Sequence, residues 1–194
     1  MKKILFISSF PPSNYGARPK VFLNYMKMLA LNHKYEISLI LIGNINYKKH
    51  NFIANYFFIQ KPKYITQILN IIKNSLILKI LPIQTCFYWS ENNENKINSI
   101  IDQLQPEVVF CEMIRTAMFG KNLKCRTVLD MADLLSRRYY QQVTEQAKIT
   151  QVAGQYEKSM NKYFKKIINY PVIQKIILEK EFELLRKFEI EMPN

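Results

Sequence analysis

Glycine is scarce in this chain, with four residues in 194 (Gly16, Gly43, Gly120 and Gly154). Neither a glycine-rich β-sandwich nor a glycine-rich nucleotide loop can be built from so few. GxGxxG and Walker sequences are both absent, so nicotinamide-dinucleotide and ATP binding lack their usual backbone cradle. Cysteine is scarcer still: Cys86, Cys111 and Cys125 form no CxxC pair and leave one thiol over under any disulfide scheme. Reduced thiols in a cytosolic protein fit that count. The two histidines, His33 and His50, provide no metal-ligand spacing, so no metal site is expected. Long apolar runs are missing too. The longest, Ile65 to Trp89, is broken by Lys73, Lys79 and Pro82, which excludes a membrane span. The start of the chain resembles a signal peptide only superficially. Its apolar run is short, and no small-residue cleavage site precedes Pro11-Pro12.

Acidic residues are outnumbered, 15 against 28 lysines and arginines, for a net charge of +13. Two explanations stand side by side. The joint excess of Lys, Ile and Asn is what AT-rich coding produces without a partner, whereas attraction to an anionic membrane would select lysine as well. Nucleic-acid readers favour arginine, and no nucleic-acid motif is present. No nucleic-acid partner is therefore expected.

Hydrophobic residues make up 48% of the chain and aromatic residues 13%, enough for one packed domain. Residues 3–9 form a short apolar run ending in turn formers, the pattern of a central parallel strand. Phe10 to Gly16 is interrupted by two prolines and cannot be helical. A helix is predicted from about Ala17 to Leu31 with Val21, Tyr25, Met28 and Leu29 on its buried face. Further strands are predicted over Tyr35–Ile42, within Phe52–Ile59, over Glu107–Cys111 and over Arg126–Leu129. Between them fall helices at Tyr64–Leu81, Glu91–Leu104 and Ile114–Phe119. From Asp130 onward the pattern is helical, punctuated by Gly154 and Pro171. Ile173, Ile176, Ile177, Leu184, Leu185 and Phe188 give the last helix an apolar face. The alternation predicts an α/β fold, a Rossmann-like open parallel sheet flanked by helices with a helical C-terminal portion.

Ligands of such sheets bind beyond the carboxyl ends of the strands, where three polar loops fall: Ser8–Lys20, Cys111–Thr116 and Asp130–Arg138. In the first, Gly16 permits close backbone approach, and Arg18 and Lys20 are placed to neutralise phosphate at a helix start. Solvated side chains beside a simple turn account for the same residues. Glu112 and Arg115 flank the end of the third long apolar strand, as an ion pair or as ligand contacts. Asp130 is delivered into the crevice by its strand and is the strongest single candidate. Asp133 or Ser136 suits an N-cap of the next helix, and Arg137 and Arg138 suit phosphate or solvent. Tyr139-Tyr140 and the Cys86–Trp89 cluster read as packing.

Taken in order, these segments resemble family 4 of the retaining glycosyltransferases, two-domain enzymes of the GT-B fold. Ile4-Leu-Phe-Ile-Ser with Phe10-Pro-Pro and Gly16-Ala-Arg18 resembles the family's opening strand and loop. Asn32-His33-Lys-Tyr-Glu-Ile resembles its turn into strand two, and Pro106-Glu-Val-Val-Phe-Cys-Glu112 its strand before the acceptor loop. Val128-Leu-Asp130-Met-Ala-Asp133-Leu-Leu-Ser136-Arg-Arg resembles a bacterial subgroup tied to exopolysaccharide and cell-surface glycan assembly. Leu185-Arg-Lys-Phe-Glu189 resembles the helix leading into the last N-domain strand.

The resemblance implies a single N-terminal domain over residues 1–194, ending before the donor-binding domain and inactive alone. Gly16, Arg18, Lys20, Glu112, Arg115, Asp130, Asp133 and Arg137 would line its acceptor cleft. No cofactor is implied; a nucleotide-sugar would be the substrate of the complete enzyme. The implied partners are a saccharide or lipid-linked saccharide acceptor, an anionic membrane surface, and a donor-binding domain or second copy. The implied location is cytoplasmic, peripheral to the inner face of the plasma membrane. The competing expectation is a non-catalytic Rossmann-like module that self-associates.

Overall fold

The run Lys2–Ser8 is apolar on both faces, and only the middle of a sheet buries both. In the computed structural model, which describes residues 1–32, 35–43, 47–131, 134–144 and 170–191, this run is strand β1. It lies parallel to β2 (Tyr35–Ile42) on one side and to β4 (Val108–Glu112) on the other. β3 (Asn55–Ile59) pairs outside β2, and β5 (Arg126–Asp130) outside β4. The result is a five-stranded parallel sheet in the order β3-β2-β1-β4-β5, the expected Rossmann-like sheet. The strand within Phe52–Ile59 is shorter than its apolar run, beginning at Asn55.

Alternation along β1 divides the core in two. Ile4 and Phe6 join Ile37, Leu39 and Leu41 beneath α1 (Ala17–Leu31). Leu5 and Ile7 join Ile40 and Ile42 on the opposite face. That face is covered by α4 (Glu91–Leu104) through Ile97 and Ile101, and by α7 (Pro171–Glu191) through Leu178, Leu185 and Phe188. Full burial of each such side chain contributes roughly 1.5–3 kcal/mol. The remaining helices are α2 (Tyr64–Asn70), α3 (Ile83–Cys86), α5 (Met113–Ala117) and α6 (Leu135–Thr144), the last packed against α7. α4 starts cleanly because the Ser90 hydroxyl accepts from the Asn93 N–H at 3.2 Å, with Glu91 and Glu94 in its first turn.

Two local expectations are corrected. α1 buries Phe22, Leu23 and Met26, while Val21, Tyr25 and Met28 are 38, 43 and 70% exposed. The helix is apolar on more than one stripe, and Phe22 decides its rotation. Its ring packs edge-on against Phe6 at 5.5 Å and Phe10 at 5.8 Å. The expected helix over Tyr64–Leu81 changes character instead of continuing: α2 passes into a π-helical turn, Ile71–Ile77. Lys79 (φ 52°) reverses the chain there, and the Asn74 carbonyl accepts from the N–H groups of Ile80 and Leu81 at 2.8 and 3.1 Å. Gly154 and the expected helical stretch around it lie outside the described residues.

Gly120 is held against β4 and β5. A Cβ there would sit 2.5 Å from Thr127 Cγ2 and 2.9 Å from Cys111 Sγ. Gly120→Val is therefore expected to cost about 2–3 kcal/mol, the usual penalty of overpacking, as a lowered urea midpoint with unchanged slope.

Candidate functional site: a carboxylate–guanidinium cluster at the strand exits

The chain leaves β1 toward β2 and β3, then returns to place β4 on the other side of β1. Connections from two such strands run to opposite faces of the sheet, and a crevice opens beyond their carboxyl ends. β1 delivers Ser8 and Ser9 to this crevice, β4 delivers Glu112, and β5 delivers Asp130 in register beside Glu112. α1 supplies Arg18 from its first turn. Gly16 is the residue before that helix and holds φ 83°, a conformation that favours glycine. Met113 has φ 58°, so the chain turns sharply just after Glu112 in a region costly for a side chain of its size.

Arg18 is the centre of the cluster. Its Nε donates to Glu112 Oε1 at 3.2 Å, and Nη2 lies 2.6 Å from Asp130 Oδ2 and 3.4 Å from the Asp130 carbonyl oxygen. The Glu112 side chain is fully buried, whereas those of Arg18 and Asp130 are 22 and 18% exposed. Arg18 and Asp130 are thus the solvent-accessible members of the cluster, with Glu112 behind them. Burial pushes the Glu112 carboxyl up to about 7 against the pull of Arg115 and Arg18, and Asp130 adds to the rise. For Arg18, burial opposes the charge, but bonding to Asp130 and Glu112 outweighs it and leaves the guanidinium above its ordinary value. Arg18 thus keeps its charge, and Glu112 is the member of the cluster poised near neutrality.

A polar chain continues inward. The Ser9 hydroxyl lies 3.5 Å from both Glu112 Oε2 and Arg115 Nη1. Arg115 Nε donates to Gln84 Oε1 at 3.3 Å, and the Gln84 amide donates to the Tyr139 hydroxyl at 2.9 Å. Nearby, the buried Glu181 of α7 accepts from the Ile83 N–H at 2.7 and 3.0 Å and so fixes the start of α3. Burial pushes Glu181 up to about 7 as well, against its bonds to the backbone of Ile83 and Gln84.

Of the residues singled out from sequence, the structure gathers Arg18, Glu112, Arg115 and Asp130. The ion pair at Glu112 forms with Arg18, from a different loop, while Arg115 reaches Gln84 and Ser9. Gly16, Lys20 and Arg137 are exposed and stand outside these ion pairs. Lys20 contributes its N–H to the Gly16 carbonyl at 3.2 Å. Ser136 lies inside α6, and its hydroxyl and N–H both bond to the Glu189 carboxylate, at 2.5 and 3.2 Å. Ser136 therefore ties α6 to α7 and is not the helix cap. Asp133 lies outside the described residues. Sequence reading missed Ser9, Gln84 and Glu181. The last carried a signal, a carboxylate inside the apolar stripe formed by Leu178, Leu184 and Leu185.

Known protein-family models give no match to this chain, and neither do the curated proteins. Among solved structures it is similar to a UGT transferase from Siraitia grosvenorii in complex with UDP. The identity is 14% and the TM-score 0.47, over 97% of this chain and 43% of that one. The chain therefore spans less than half the length of that transferase.

Proposed function

We propose that the strand-exit crevice binds a saccharide and that the chain forms the acceptor-binding side of a retaining glycosyltransferase of the family 4 kind. Such an enzyme would use a nucleotide-sugar donor to build cell-surface polysaccharide or glycolipid, with a saccharide or lipid-linked saccharide as acceptor. One observation carries this reading: Arg18 and Asp130 are paired on the solvent side of the strand exits, with the buried Glu112 behind them. Vicinal hydroxyls are matched by such an array, because a carboxylate accepts from their O–H groups while a guanidinium donates to their oxygens. Glu112 adds a group able to take up and return a proton near neutral pH.

Calorimetry of residues 1–194 against a panel of mono- and disaccharides tests the reading. Asp130→Ala is expected to weaken the best-binding sugar at least about tenfold, the effect of losing a hydrogen bond to a charged group. Residues 1–194 by themselves are expected to turn over no nucleotide-sugar. Sugar binding unaffected by Asp130→Ala would reject the reading, as would sugar transfer by residues 1–194.

A second reading, self-association, draws on the edge of the sheet. β5 has β4 as its one strand neighbour among the described residues. Val128 is 43% exposed there and lines a mostly apolar groove of about 490 Å³ with Tyr25, Met28, Leu29, Phe110 and Leu129, and with Asp130 at its polar end. An open edge of this kind pairs readily with another chain. Sedimentation velocity over a range of concentrations would show a dimer that Val128→Lys dissociates; a monomer throughout removes this reading.

A further inference from the structure

The stretch Lys63 to Ile80 follows the carboxyl end of β3 and contains α2 and the π-helical turn. Its pattern of exposure is inverted. Asn74 and Ser75 are buried, at 6 and 3%, while Ile65, Leu69, Ile77, Leu78 and Ile80 are 51 to 70% exposed. Every exposed side chain in the stretch is either large and apolar or a lysine, the lysines being Lys63, Lys73 and Lys79. A coding bias toward Lys, Ile and Asn does not sort these residues by face, because it acts on composition alone. The tip is also a built structure. Reversal at Lys79 and the two bonds accepted by the Asn74 carbonyl hold Leu76 to Ile80 as a knuckle. No aspartate or glutamate occurs between Glu36 and Glu91, so the stretch itself carries only positive charge.

We propose that this knuckle docks on an anionic lipid surface. Ile65, Leu69, Ile77, Leu78 and Ile80 would enter the boundary between headgroups and acyl chains, and the three lysines would pair with lipid phosphates. The knuckle would lie on the bilayer surface, and among the described residues no helix is long and apolar enough to span a membrane. A second copy is the poorer occupant, since it would set lysine against lysine with no acidic residue of this stretch to pair them. Nucleic acid would leave the apolar side chains unmatched. This proposal does not depend on the saccharide reading, because vesicle binding is measured without sugar.

Flotation with vesicles of phosphatidylcholine, with and without phosphatidylglycerol, tests it at low and high salt. The wild-type chain is expected to float at least about tenfold more strongly with the anionic vesicles, and less so in high salt. Replacing Lys63, Lys73 and Lys79 by Gln is expected to weaken that binding about a hundredfold, at roughly fivefold for each lysine. Ile77→Asn with Leu78→Asn should weaken binding to both kinds of vesicle, and at these exposed positions it should leave the melting temperature nearly unchanged. Equal binding to the two kinds of vesicle, or unaltered binding of the lysine variant, overturns the proposal. So does an Ile77→Asn/Leu78→Asn variant that turns a dimer into a monomer without loss of vesicle binding.

Discussion

Arg18→Ala is expected to destabilise the chain by about 3 kcal/mol at pH 8 and by clearly less at pH 5.5. The substitution removes the ion-pair partner of the fully buried Glu112 side chain and of Asp130. Breaking a buried pair from one side costs about 3–5 kcal/mol, because the other charge stays behind without compensation. The lower end applies here, since Arg18 is partly exposed and water replaces some of its contacts. The pH dependence follows from Glu112. At pH 5.5, below its value of about 7, the carboxyl is already largely protonated and gains little from Arg18. At pH 8 the charge persists, or a proton must be taken up at further cost. Urea unfolding at the two pH values measures both losses. Adding Glu112→Gln to Arg18→Ala should recover part of the pH 8 loss, because the stranded charge is gone. Equal losses at both pH values would show that Glu112 does not titrate in this range.

The second large effect is the pH profile of the wild-type chain. Glu112 and Glu181 are both pushed up to about 7 by burial, from an ordinary value of 4.5. Facing groups are Arg18, Arg115 and Asp130 around the first, and Cys86 and Tyr139 near the second. Between 4.5 and 7 the folded state holds these protons while the unfolded state releases them. Folded protein then binds more protons than unfolded, and stability falls as pH rises. Their contribution is fully present below about 4.5 and lost as pH passes 7. Each shift corresponds to about 3 kcal/mol, a large part of the 5–15 kcal/mol typical of a domain. Glu181→Gln keeps an oxygen for the Ile83 N–H and removes the ionisation. This variant should be more stable than wild type at pH 8 by about 2–3 kcal/mol and similar to it at pH 5. A wild-type chain that gains stability from pH 5 to pH 8 would contradict both assignments.

The sheet was legible chiefly through β1, β2 and β4, largely apolar runs whose burial leaves that trace, whereas the edge strands β3 and β5 are more exposed and leave less of it. Strand exits follow from the same pattern, which is why Arg18, Glu112 and Asp130 could be named as crevice residues. Their pairing could not be read. Whether Glu112 meets Arg115, three residues on, or Arg18, 94 residues back, depends on how α1 packs over the strand ends. The face of α1 was misjudged for a related reason: helical periodicity allowed two stripes, and the choice belonged to the aromatic contacts of Phe22. Tyr64–Leu81 reads from sequence only as an apolar, periodic helix, since composition does not reveal that Asn74 and Ser75 turn inward while Ile77 and Leu78 turn outward.

The most direct test of the saccharide site is a ¹⁵N–¹H NMR titration with the best-binding sugar from calorimetry. Changes concentrated at Ser9, Arg18, Glu112, Arg115 and Asp130, including the Arg18 Nε–H resonance, are the predicted result. Changes centred on the opposite edge of the sheet, around Lys2 and Glu107, would contradict the assignment of the crevice, as would a spectrum that does not move.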